Sequence, residues 1–149
     1  LLPENHPTDT KAFFKDGIFD SITIHWTGPQ YLQTPKIVRN WWLESGGQAS
    51  AHFIIKSNQC FQCVPFTKQA FHCGNPTGNR TSLGIEVIPM DEDGRFSEDS
   101  IKTIKELLSL FSPKPIFRHY DWSGKDCPKY YINEHKWEKL KLAITPDSW

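Results

Sequence analysis

Apolar and polar positions change period several times along the chain, and each period predicts an element. In FDSITIHW (19–26), Ile22 and Ile24 alternate with Ser21, Thr23 and His25, as in a half-buried strand, with His25 at its end. Ile37, Val38, Trp41 and Trp42 share one face at helical spacing. Thr34 and Pro35 precede them as a cap and a first-turn proline, and Gly46-Gly47 is expected to stop this helix. AHFIIK (51–56) and CFQCVP (60–65) read as two strands around a turn at Ser57-Asn58-Gln59. SLGIEVIP (82–89) reads as a further strand, apolar except for Glu86. Ser97 caps a second helix with Glu98 and Asp99 in its first turn, along which Ile101, Ile104, Leu107, Leu108 and Phe111 recur. PIFRHY (115–120) is another strand, ending near His119, and Asn133 caps a last helix carrying Trp137, Leu140 and Ile144. Strands interleave with helices, so the predicted class is α/β: a single mixed central β-sheet flanked by helices. One domain over 1–149 is expected, its core at 18–144, with 1–17 and the TPDSW tail peripheral.

Composition narrows the function. The chain has 149 residues, enough for a sizeable core, with 38% apolar and 23% charged residues, a globular balance. Lys+Arg 17 offsets Asp+Glu 17, which argues against a nucleic-acid binder. Six tryptophans and ten phenylalanines are many for this length: some must be core, but aromatics also line grooves for sugars or peptides. No apolar run reaches the ~18 residues of a membrane span. The start, LLPENHPTDT, has neither a signal-peptide pattern nor an initiator methionine, so the chain is expected to be processed or cut from a longer protein. Cysteine is sparse for a disulfide scaffold: Cys60, Cys63, Cys73 and Cys127. CFQC lacks a second CxxC, so two thiols packed on or near one face is the plainer reading, with a bond from Cys60 or Cys63 to Cys73 left open.

The chemistry gathers at strand ends. His25 and His119 both end strands, where distant residues of an open sheet converge on a crevice. Cys127 follows on a glycine-containing loop, HYDWSGKDCP. Two imidazoles and a thiolate suit zinc, and three protein ligands leave the open position of a catalytic site. The plain alternative is two surface histidines and a buried cysteine. Glu86 is a carboxylate inside an apolar strand, which calls for a partner such as Arg80 or Arg118, or for a role as general base. Lys125 is a cation beside Cys127 and is suited to stabilising an oxyanion. Together these groups describe a hydrolase of amide or ester bonds.

TIHWTG (23–28), SAHFII (50–55), AFHCGN (70–75), SLGIEV (82–87) and HYDWSGKDCP (119–128) resemble, in order, the type 2 N-acetylmuramoyl-L-alanine amidases, which include phage endolysins, bacterial autolysins and peptidoglycan recognition proteins. The resemblance covers roughly residues 20–140. It implies a zinc enzyme that cuts the amide between N-acetylmuramic acid and the L-alanine of the peptidoglycan stem. His25, His119 and Cys127 would hold the metal, Glu86 would activate water and Lys125 would stabilise the oxyanion. His52 is expected to support the site. His72, Trp26, Phe71, Asn79 and Trp122 are expected to touch substrate, with Arg80 a further candidate. Trp41 and Trp42 are read as core, and His6 and His135 as surface. Two positions depart from relatives: Ala51 stands where some phage members carry a catalytic tyrosine, which shifts weight to Glu86, and Phe71 stands where relatives often have tryptophan. The competing functions are a non-catalytic peptidoglycan-binding module, disfavoured by the presence of Cys127, and a zinc peptidase. The implied setting is the bacterial cell wall, reached by release of a cytoplasmic endolysin or by secretion of an autolysin. A monomer is the default, and a wall-binding domain is the candidate missing neighbour.

Overall fold

The computed structural model describes residues 19–44 and 49–149. The expectations for residues 1–17, His6 and Gly46-Gly47 lie outside the described residues. A five-stranded sheet has the order β3-β2-β4-β1-β5. Its strands are β1 (Ser21–Trp26), β2 (Phe53–Lys56), β3 (Gln59–Gln62), β4 (Ser82–Val87) and β5 (Ile116–Arg118). β1 runs parallel to β4 and β5, β2 runs parallel to β4, and only β3 is antiparallel. The helices are α1 (Pro35–Glu44), α2 (Pro76–Thr81), α3 (Glu98–Leu108), α4 (His119–Ser123) and α5 (Glu134–Ile144). No described helix is long and apolar enough to cross a membrane.

Strand alternation sorts the sheet into two different faces. Ile22 and Ile24 of β1, Leu83, Ile85 and Val87 of β4, and Phe53 and Ile55 of β2 form the main core. They meet Ile104, Leu107 and Leu108 of α3 and Trp137, Leu140 and Ile144 of α5. The other face carries Thr23 and His25 beside Ser82, Gly84 and Glu86, because in-register neighbours point the same way. A second cluster closes part of that face, joining Val38 and Trp42 of α1 to Ala51, Ile54, Cys63 and Ile88. The first five residues of β1 are therefore all buried. This corrects the half-buried reading: the polar positions face a lined site instead of solvent.

Other readings are corrected in the same way. On α1 only Val38 and Trp42 of the apolar set are buried, whereas Ile37 and Trp41 are exposed. CFQC does not pack on one face. β3 is an exposed edge strand, so Cys60 is exposed, and Cys63 turns inward just past its end. All four cysteines are free. Asn79 and Arg80 lie on α2, capped by Asn75 Oδ1 on the N–H groups of Thr77 and Gly78. HYDWSGKDCP opens with the short helix α4, which Gly124 ends at a φ of 77°, a left-handed conformation that suits glycine.

Ala51 is fully buried in the second cluster. Ala51→Tyr is therefore expected to lower unfolding stability by about 1–3 kcal/mol through overpacking, read by calorimetry, with no gain in activity. An unchanged melting temperature would show that the cluster has room for the ring.

Candidate metal centre

Sheet register assembles the site. His25 on β1 is the direct partner of Glu86 on β4. On its other side Ile24 pairs with Arg118, the last residue of β5, so His119 follows at the same level. Arg118 anchors this corner. Its guanidinium donates to the Tyr131 and Ile132 carbonyls, each at 3.0 Å, and to Asp121 and Glu134, each at 2.8 Å. Asp121 Oδ2 in turn accepts the Arg118 N–H at 2.8 Å at the start of α4. The Tyr120 N–H donates to the Cys127 carbonyl at 2.9 Å, folding the loop back onto α4. That turn brings Cys127 Sγ to 3.4 Å from the Trp26 N–H, which donates to it.

His25 Nδ1 then lies 3.1 Å from His119 Nδ1 and 3.8 Å from Cys127 Sγ. Tetrahedral zinc at its usual bond lengths would separate two nitrogens by about 3.3 Å and a nitrogen and sulfur by about 3.6 Å. The three donors, all buried, thus fit zinc both by spacing and by chemistry. A second group shares His25: His72 Nδ1 is 2.8 Å from His25 Nε2, and Cys73 Sγ is 3.1 Å from that Nδ1. Both separations are shorter than a shared zinc allows, so this second group is held by hydrogen bonding.

Burial sets the protonation states. It is the main cause holding His25 well below the ordinary imidazole range, with His72, His119 and Lys125 adding to the effect. His119 falls to about 4, through burial first and then Lys125, with a hydrogen bond to the Cys73 backbone opposing. His72 falls to about 3, chiefly through burial. The histidines are therefore neutral, as metal ligation requires. Burial, then the neighbouring Glu86 carboxylate, pushes the Cys127 thiol up, against the Trp26 N–H and Lys125.

Glu86 has no arginine partner of the kind the sequence suggested, since Arg118 is committed to Asp121 and Glu134. Its Oε1 lies 3.8 Å from His25 Nδ1, and its Oε2 is buried with no hydrogen-bond partner. Burial raises this carboxyl to about 8, with Lys125 pulling it back. That value suits a group that takes and gives protons near neutral pH.

A cleft of about 560 Å³ opens over the three donors, within the range of small-ligand sites. Trp26, Phe71, His72, Asn79, Glu86 and Lys125 all line it. A neighbouring cleft shares Trp26, Glu86, Lys125 and Cys127 and extends to Gln33 and Trp41, so the two clefts adjoin beside Cys127. Trp41, read as core, is a groove wall.

Trp122 does not line either cleft. Its Nε1–H donates to Thr23 Oγ1 at 2.9 Å, and its ring meets Phe117 edge-on. These contacts pack it beside β1 and β5. Asn79 reaches the cleft, but its Oδ1 accepts the N–H groups of His72 and Cys73. His52 is fully buried. It accepts the Gly84 N–H at 2.9 Å and faces the Lys68 carbonyl at 2.6 Å, bracing β4 from outside the cleft. Sequence reasoning passed over Arg118 as the anchor of the corner and the Trp26 N–H as a partner of the thiol. The adjacency of Arg118 to His119 was the available signal for the first.

Comparison with known proteins gives a consistent picture. The sequence profile of the N-acetylmuramoyl-L-alanine amidase family matches residues 15–130. The chain is similar to N-acetylmuramoyl-L-alanine amidase CwlA of Bacillus subtilis, with 30% identity over 132 residues, covering 83% of this chain and 48% of the relative. It is also similar to XlyB of the same organism, with 28% identity, covering 83% of this chain and 41% of that one. The chain thus spans about half or less of the length of these curated relatives. In fold it is similar to the solved structure of PlyL, with a TM-score of 0.76 at 24% identity, covering 97% of this chain and 93% of that one.

Proposed function

The chain belongs to the N-acetylmuramoyl-L-alanine amidase family, and from that premise we propose that it hydrolyses the amide between N-acetylmuramic acid and L-alanine in peptidoglycan, with zinc held by His25, His119 and Cys127. The observation that carries this reading is the trio of zinc-spaced donors beside an unpartnered carboxyl oxygen, where two clefts adjoin. Zinc bound there supplies Lewis acidity and a nucleophilic water near neutral pH.

The chain's own residues account for the rest. Glu86 takes the proton of the attacking water and returns it to the alanine nitrogen as the amide breaks. The Lys125 ammonium, at the rim of the same cleft, offsets charge developing on the amide oxygen. Trp26 and Phe71 give flat walls to the chain on either side of the scissile bond, and the adjoining cleft that extends to Trp41 suits a polymer. The site of action is the bacterial cell wall.

Mass spectrometry of a digest of purified peptidoglycan tests this. Released stem peptides beginning with L-alanine, with glycan strands intact, are expected. Cleavage only within the stem would make the protein a peptidase, and sedimentation with walls without any product would make it a binding module.

Zinc uptake has a predictable pH dependence. The Cys127 thiol is raised and so keeps its proton at neutral pH, while His25 and His119 are lowered and carry none. Binding therefore releases one proton from Cys127, and affinity rises about tenfold per pH unit across the neutral range. Competition titration in the Glu86→Gln variant, which removes the carboxyl's own proton from the count, checks it. A pH-independent affinity would exclude the thiolate as a ligand.

A further inference from the structure

Resting on the zinc reading above, we propose that His72 is a positioning residue: fixed by the Ser82 carbonyl and seated on Gly84, it sets the tautomer of His25 so that the Nδ1 lone pair faces the metal. His72 Nε2 lies 3.0 Å from the Ser82 carbonyl oxygen. A carbonyl only accepts, so the proton of the neutral ring is on Nε2 and its Nδ1 carries a lone pair. That Nδ1 lies 2.8 Å from His25 Nε2, which must then be the donor. His25 is left with a bare Nδ1, the atom 3.1 Å from His119 Nδ1 and 3.8 Å from Cys127 Sγ. The Cys73 thiol, 3.1 Å from the same His72 Nδ1, is a weaker donor and can turn toward Thr23 Oγ1 at 3.8 Å.

Independent evidence comes from Gly84. A Cβ at this position would stand 2.7 Å from His72 Nδ1 and 2.8 Å from its Cγ. The absence of a side chain in the middle of β4, where glycine is otherwise costly, is what admits the ring. The position of His72 therefore depends on the same strand that carries Glu86, two residues on. A histidine ligand whose distal nitrogen is held by an outer partner is oriented and made more basic. His72 meets that requirement with a second imidazole and a backbone carbonyl in place of a carboxylate. It lines the cleft floor, but both of its ring nitrogens are committed inward.

The test combines zinc competition titration with the visible absorption of the cobalt-substituted protein. His72→Phe keeps a ring but removes both nitrogens, and is expected to weaken zinc binding about 10–100-fold and to alter the cobalt bands. His72→Gln, which can accept from His25 and donate to Ser82, restores most of the affinity. Gly84→Ala displaces the ring and weakens zinc binding without touching a nitrogen. Zinc affinity of His72→Phe within about twofold of the parent, well below the 10–100-fold expected of such a partner, overturns the proposal. If the variants do not fold, proton–nitrogen NMR of the unaltered protein decides: Nε2–H tautomers for both His72 and His25 support the proposal, and an Nδ1–H tautomer for either overturns it. Cys127→Ser in the same titration separates the two levels. If it loses zinc while His72→Phe keeps it, only this proposal fails. If it also keeps zinc, the zinc reading fails and the proposal falls with it.

Discussion

Cys127→Ser is expected to lose zinc by more than the roughly 10–100-fold that removal of a partner behind a ligand costs, and to lose amide cleavage with it. Sγ stands 3.8 Å from His25 Nδ1, and a shorter Cβ–O bond pulls the donor away from that point. A hydroxyl is also a far poorer source of an anionic ligand than a thiol. The fold is expected to persist, because the Tyr120 N–H still meets the backbone carbonyl of residue 127 and the change is a single atom. Metal analysis after dialysis against buffered zinc checks this. Unchanged zinc content with an unchanged melting temperature would remove Cys127 from the ligand set.

Glu86→Gln is expected to keep zinc and lose about 10²- to 10⁴-fold in turnover. The substitution preserves shape and changes only the ability to carry a proton. The structure supplies the reason for so large an effect: Oε2 is buried without a partner, and burial brings the carboxyl to about 8. A carboxylate kept for structure would be paired, as Asp121 is with Arg118 at 2.8 Å. Turnover near that of the parent, at equal zinc content, would mean that another group serves as base.

Much of this arrangement was legible because parallel strands end together. His25 closes an alternating run and His119 follows another, and a sheet with both strands in it must bring them to one edge. Glu86 was visible as a charge in an apolar run, and the register partner of His25 is that residue. The alternation was misjudged in one respect. Thr23 and His25 look solvent-facing by period, yet they are buried, because the second face is covered by α1 and by the site itself. Period two reports that a strand has two faces, not which of them is wet.

Short helices escaped for another reason. α2 and α4 have six and five residues, too few for an apolar period to register. The caps were there to be read: Asn75 before Pro76, and Gly124 after Ser123. On α1, helical spacing grouped Trp41 with Trp42, but adjacent residues stand about 100° apart around the axis. One turned into the cluster and the other to the groove. The contacts of Trp122 and His72 could not be read from sequence, since they are made to partners in other elements: Thr23 for the first, His25 and Ser82 for the second.

The most direct test of the account is amine release from purified cell walls, with end-group identification, before chelation, after it and after return of zinc. New N-terminal L-alanine that vanishes on chelation and returns with zinc is the predicted result. Undiminished release from protein shown to be free of metal would contradict it, as would the absence of any new amine from zinc-loaded protein.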